Sequence, residues 1–194
     1  MNGIKLALYL LILAFWTGPV EAAQVIHFQL PQLVHHSNFI VHGQIQDIRA
    51  MRSNDAPGRI QRVVSVATKE VLKRDTQHSQ AKTLSFVMAG GRMGRFRQFV
   101  PGLPSIQVGD KVVLFLHRRA LDGALVLTGM AQGHYVLTLQ PNGVMTARSD
   151  RQGMYLISRA TDGRLSPAPA SARLDEHPLH TFLALIRHQV SVSQ

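Results

Sequence analysis

The residue types in this chain that can do chemistry fall into a basic-aromatic stretch, a set of histidines, and scattered hydroxyls and carboxylates. The connection from Ala89 to Gly109 sets Arg92, Arg95 and Arg97 beside Phe96 and Phe99 among glycines. Cations interleaved with rings suit a polyanion or a single strand, the charges tracking phosphates while the rings stack on bases. Arg118 and Arg119 extend that charge from the end of an apolar run. The same stretch also has a structural reading, which the sequence favours: a solvated excursion whose Phe side chains tuck onto the protein. Gly90-Gly91-Arg92-Met93-Gly94 is no phosphate loop, because neither Lys-Ser nor Lys-Thr follows it.

Ten histidines include His35-His36 with His42, and His177 with His180, a spacing of three that can place two imidazoles on one helical face. A catalytic zinc takes three protein ligands held by further hydrogen bonds, and His-Glu-x-x-His is absent, so no metal site or cofactor is expected. His117 and His134 flank expected strand ends. Gly-x-Ser-x-Gly is also absent, and no Ser, His and Asp trio stands out. Asp47, Asp55, Asp110 and Asp150 sit in or next to expected turns, where Asp bonds to its own backbone. The expectation is binding and not catalysis.

The elements that must carry these groups are mostly β. Alternation at period two predicts strands over 39–48, 60–72 and 83–88, with Phe39, Val41 and Ile45 on one side of the first. Lys111 to Leu116 is continuously apolar and predicts a strand buried on both faces. Shorter strands follow at 125–128, 135–139 and 144–147, the last two joined by Pro141-Asn142-Gly143, a hairpin signal. Ser53 to Gly58 predicts another hairpin loop, and a polar loop runs from Lys73 through Ser79. Leu30 to Ser37 predicts a short helix, with Pro31 tolerated in its first turn. Leu179, Phe182, Leu183, Ile186 and Val190, at offsets of 0, 3, 4, 7 and 11, form the stripe of a helix lying on a core. Asp175, Glu176 and Pro178 read as its start.

The 194 residues hold 21 Lys and Arg against 11 Asp and Glu, and no Cys, which excludes disulfides, thiol nucleophiles and Cys-bearing zinc sites. Residues 1–22 read as a secretory signal: Lys5, an apolar run from Leu6 to Trp16 too short for a span, then Val20-Glu21-Ala22, with cleavage expected after Ala22 or Ala23. No later segment spans a membrane. Removing 1–22 takes away Lys5 and Glu21, which leaves 20 cations and 10 anions over 172 residues. An exported, periplasmic or secreted, basic domain favours lipopolysaccharide, nucleic acid, anionic headgroups or an acidic protein. Lack of Cys suits a bacterial secretory protein. The expected organisation is a signal over 1–22, a barrel over 23–163, a Pro/Ala/Ser linker over 164–174 and a helix over 175–194 that docks on the barrel.

Ser37-Asn38-Phe39-Ile40-Val41-His42-Gly43-Gln44-Ile45, Val66 to Lys73, Gly90-Gly91, Pro101-Gly102-Leu103-Pro104 with Val108 to Leu116, and Gly129 to Gly133 together resemble a family of uncharacterised exported bacterial proteins. More remotely, the same order resembles netrin-type modules, the OB-fold barrels of tissue inhibitors of metalloproteinases. The resemblance covers roughly residues 30–140 and implies an OB-like barrel, closed or partly open, that binds a protein, with a secreted metalloprotease as the partner to expect. Those inhibitors hold the protease zinc through an N-terminal Cys, and this chain has none. Small barrels protect strand edges and free their loops for binding, so the fold reading also stands on physical grounds. Two functions follow as expectations: a protein-interaction module, and a polyanion binder acting through Arg92, Arg95, Arg97, Arg118 and Arg119.

Overall fold

The computed structural model describes residues 23–53, 57–75, 82–151, 153–160 and 162–193. The signal segment 1–22, Asn54 to Ala56 of the first hairpin loop and the polar loop over 76–81 lie outside them. In chain order the elements are β1 (Ala23–Ile26), α1 (Leu30–His36), β2 (Phe39–Arg52), β3 (Ile60–Lys73), β4 (Thr83–Ala89), β5 (Gly91–Met93) and β6 (Phe96–Gln98). They continue through β7 (Lys111–Arg118), β8 (Leu125–Leu127), β9 (His134–Leu139), β10 (Met145–Asp150), β11 (Met154–Arg159), β12 (Leu165–Pro167), β13 (Leu174–Pro178) and α2 (Leu179–Val192). The chain is mostly β, and its principal sheet is a strongly curled half-barrel.

That sheet runs β13-β10-β9-β7-β2-β3-β4, with β8 continuing along β7. Its curl originates in β2 and β3. Their antiparallel ladder slips at Ile40/Val41, His42/Gly43 and Ile45/Asp47, and each slip bends and twists the ribbon. Gly43 sits at one of them, and a side chain there would run into the carbonyl oxygen of Ala67. Only glycine lets the two strands close at this point.

Curling separates two apolar faces. The concave one gathers Phe39, Val41 and Ile45 of β2, Val64 and Val66 of β3, Phe86 and Met88 of β4, and Val112, Leu114 and Leu116 of β7. The convex one gathers Ile40, Val113, Phe115, Tyr135, Leu137 and Ala147, and is covered by Leu33 and Val34 of α1 and by Phe182, Leu183, Ile186 and Val190 of α2. β7 lies between the layers, and its run from Val112 to Leu116 is 0% exposed, which accounts for its continuous apolar character. The turn at Pro141-Asn142-Gly143 joins β9 to β10, with Gly143 at φ +79 and Asn142 Oδ1 accepting the Val144 N–H at 3.0 Å.

A smaller sheet, β1-β11-β12, pairs β1 in parallel with β11. It corrects the linker expected over 164–174, which carries β12 and a 3-10 turn at Ala170–Arg173. Pro167 is compatible with β12 because that strand is at an edge, where a missing N–H costs no ladder bond. The final helix is corrected too: Asp175 and Glu176 belong to β13, paired with β10, and the helix begins at Leu179 after Pro178. Tertiary pairing overrides the helix-start signal there, since the Asp175 side chain is drawn inward by Arg151 and Tyr135. No helix among the described residues is long and apolar enough to cross a membrane.

Candidate functional site

Arg92, Arg95, Phe96 and Arg97 lie on a two-stranded hairpin, β5–β6, with Arg92 opposite Arg97 and Met93 opposite Phe96. Phe99 follows directly. The hairpin is held at its base. Gly90 donates to the Ile60 carbonyl at 2.7 Å, and the Gln98 side chain accepts the Ile60 N–H at 2.7 Å, so both backbone groups of Ile60 are occupied. Gly90 and Gly91 make the corner from β4, at φ +78 and +135, values that side-chain-bearing residues rarely adopt. Beyond that base the rings do not tuck in, which corrects the structural reading of this stretch: Phe96 is 58% and Phe99 75% exposed. Arg95 stands 5.2 Å over the Phe96 ring.

Beneath the hairpin, Arg62 of β3 joins Arg92, Arg97, Gln98 and Phe99 around a cleft of about 460 Å³. Its Nε is buried with no hydrogen-bond partner among the described residues, and burial lowers its pKa. No pattern in the sequence singles out Arg62, because only the hairpin's fold brings it under Arg92.

Arg118 and Arg119 are placed elsewhere. Arg118 contacts Asp75 at 3.3 Å, donates to the Gly123 carbonyl at 3.1 Å and lies 5.4 Å over the Phe39 ring. Arg119 pairs with Asp122 through its Nε at 2.8 Å and its Nη2, and that hydrogen bonding holds the Asp122 carboxyl at about 2. The seven candidate residues therefore divide into a hairpin group and a pair at the far end of β7. Lys69, Lys73, Arg74 and Lys82, none of them among the candidate residues read from the sequence, line a second cleft with Arg118.

The histidines separate. His36 stacks on Phe28, and His42 is buried beside Lys69, Glu70 and Arg187. His177 and His180 do not share a helical face: His177 lies on β13 and donates from Nε2 to Asp175 Oδ1 at 2.6 Å, while His180 on α2 contacts Thr181. Asp175 also accepts from Tyr135 at 2.6 Å and from Arg151 at 2.9 Å. An imidazole oriented by a carboxylate has a general base's geometry, but among the described residues no serine or threonine hydroxyl bonds to His177. Burial pushes the Asp175 carboxyl up, and the Tyr135 hydrogen bond and Arg151 charge outweigh it, so its pKa is lowered.

His134 opens β9 at 3% exposure, with Nε2 buried and without a hydrogen-bond partner among the described residues. Burial lowers its pKa to about 4, against a weak opposing pull from Asp110. A folded pKa below the unfolded value means that the unfolded chain takes up the proton first as pH falls. This contribution to stability is complete above about pH 6.5 and is lost toward pH 4. At about 1.4 kcal/mol per pKa unit, it amounts to about 3 kcal/mol. Urea midpoints measured from pH 7.5 to 4 should fall steeply, and His134→Leu should flatten that fall by roughly one proton. An unchanged slope in the variant would assign the acid sensitivity to other groups.

No family model and no curated protein sequence matches this chain. The likeness to netrin-type modules therefore rests on the order of motifs alone.

Proposed function

We propose that this chain is an exported, non-catalytic binding module on an OB-like barrel, and that the β5–β6 hairpin engages a protein partner. The observation that carries the reading is the exposure of Phe96 and Phe99 beside three arginines, with no carboxylate anywhere from Ala89 to Gly109. Single exposed apolar residues are ordinary. Two rings within four residues, on a hairpin pinned at its base, put apolar area in water for no folding gain. Phe and Arg are also the side chains enriched at interface centres.

The partner this surface fits is a protein with an apolar centre and acidic rim, one carboxylate entering the cleft of Arg62, Arg92 and Arg97. A secreted metalloprotease is the partner class that the motif order suggests. With no Cys in the chain, engagement runs through the hairpin and not through the protease metal. In support of the OB-like reading, β2, β3, β4 and β7 curl round one core and β8 comes alongside β4.

The test is capture of partners from periplasm and culture medium on immobilised residues 23–194, washed at low and then high salt. A protein retained at high salt by the wild type, and bound about 30-fold more weakly by Phe96→Ala with Phe99→Ala, is the expected result, about 2 kcal/mol being the size of an interface hot spot. Thermal melting of this double variant should not change, since both rings are exposed. Loss of every retained species at high salt, with nucleic acid or lipopolysaccharide in the eluate, would replace the proposal by polyanion binding, whose affinity falls steeply with ionic strength.

A further inference from the structure

The curled sheet is open at one end, and that end has a chemistry of its own. Between the last turns of β3, the start of β4 and the β7–β8 corner lies a cleft of about 980 Å³. Its floor is apolar. Phe39, Leu84 and Leu125 line it, and all three also belong to or pack on the concave core, so the floor is continuous with the inside of the half-barrel. Its rim is cationic, carrying Lys69, Lys73, Arg74, Lys82 and Arg118. Glu70 is the one carboxylate lining it among the described residues, and its Oε1 is bound by Arg187 of α2 at 2.7 Å.

The rim cations differ in how far they are committed. Lys73 donates to the Val34 carbonyl at 2.7 Å, and burial lowers its pKa, so it ties β3 to α1. Arg118 is held by Asp75, Gly123 and the Phe39 ring. Lys69, Arg74 and Lys82 are exposed at the mouth. A pocket of this size lies within the range of small-molecule sites, in which apolar walls supply the affinity and a few placed charges the orientation.

We propose that this mouth binds an anionic amphiphile, a single acyl chain against Phe39, Leu84 and Leu125 with its phosphate or carboxylate head between Lys69 and Lys82. An apolar floor alone would take any hydrocarbon, and a cationic rim alone any anion. Both together select a molecule with a charged head on an apolar tail. The site is separate from the β5–β6 hairpin and stands or falls apart from it.

Calorimetric titration of the full folded chain, below the micelle threshold, tests this with dodecyl phosphate, dodecanoate, dodecyl maltoside and inorganic phosphate. Binding of one dodecyl phosphate or dodecanoate per chain is expected, with the neutral maltoside and inorganic phosphate at least a hundredfold weaker. The tighter of the two anionic heads separates a phospholipid source from a fatty-acid source. Lys69→Glu with Lys82→Glu should weaken that binding at least tenfold and leave the melting temperature unchanged, both side chains being exposed. Equal binding of the maltoside, equal binding of inorganic phosphate, no binding, or indifference to the double substitution would each overturn the proposal.

Discussion

Phe182→Asp should leave the chain unable to fold stably at 37 °C, the largest effect expected of any single substitution here. Phe182 is 0% exposed in the first turn of α2, its ring 4.5 Å from that of Tyr135, 6.2 Å from Phe115 and 5.3 Å from His177. Removing a buried Phe costs about 3–5 kcal/mol in lost transfer energy and cavity. An unpaired carboxylate in its place adds several more. The sum approaches the roughly 5–15 kcal/mol by which a domain is stable at all. Phe182→Ala isolates the packing part and should lower the melting temperature by about 6–20 °C, at roughly 2–4 °C per kcal/mol for a chain of this length. Leu185 on the same helix is 40% exposed, and Leu185→Asp should move melting by about 1–2 °C at most. Equal melting of the wild type and Phe182→Ala would mean that α2 does not dock on the convex face.

That docking was legible because Phe182, Leu183, Ile186 and Val190 repeat at helical spacing, a pattern set by one element and visible in one stretch of chain. The long strands were legible for the same reason: β2, β3, β4 and β7 each carry their own alternation or continuous apolar run. β1 was missed because it is four residues long and becomes a strand only through parallel pairing across more than a hundred residues, Val25 opposite Leu156, and β11 because its partners are that strand and the three-residue, Pro-containing β12. Gln132 shows the limit at a single residue. It is fully buried, accepting the Phe28 N–H at 2.8 Å and donating to the Ile26 carbonyl at 2.9 Å, so it fastens the N-terminal segment to the β8–β9 connection. Nothing adjacent to Gln132 signals a partner 104 residues away. The candidate site divides likewise. Arg92, Phe96 and Phe99 were legible as local composition, whereas Arg62 comes beneath them only through the fold of the hairpin, and Lys69 comes near Lys82 only through the β3–β4 pairing, where the Thr68 N–H donates to the Lys82 carbonyl at 2.9 Å.

Arg151→Met should destabilise the fold by about 3 kcal/mol, from an interaction no local pattern reveals. The Arg151 side chain is 2% exposed. Its Nη2 donates to Tyr135 at 3.1 Å and Asp175 at 2.9 Å, its Nη1 to the Ala172 carbonyl at 3.0 Å, and its Nη1 also meets His27 Nε2 at 3.4 Å. Burial and the Arg151 charge together lower the His27 pKa, so His27 stays neutral and faces the guanidinium as an acceptor. The guanidinium thus joins the segment after β1, β9, the turn after β12 and β13, four pieces that share no ladder with one another except through β10 and β11. Removing it strands the Asp175 carboxylate, which Tyr135 and His177 then hold alone. Because Asp175 is 28% exposed in its side chain, water relieves part of the loss, which places the expected cost at the lower end of the 3–5 kcal/mol typical of a broken buried pair. Asp175→Leu should cost at least as much, since the cation left behind is the more buried partner. Replacing both, Arg151→Met with Asp175→Leu, should recover most of either loss, because an apolar pair of similar volume needs no counter-charge. The double-mutant cycle should then give a coupling of about 2 kcal/mol or more. Simple additivity would show that Arg151 acts through the Ala172 carbonyl and packing, with the ion pair contributing nothing of its own.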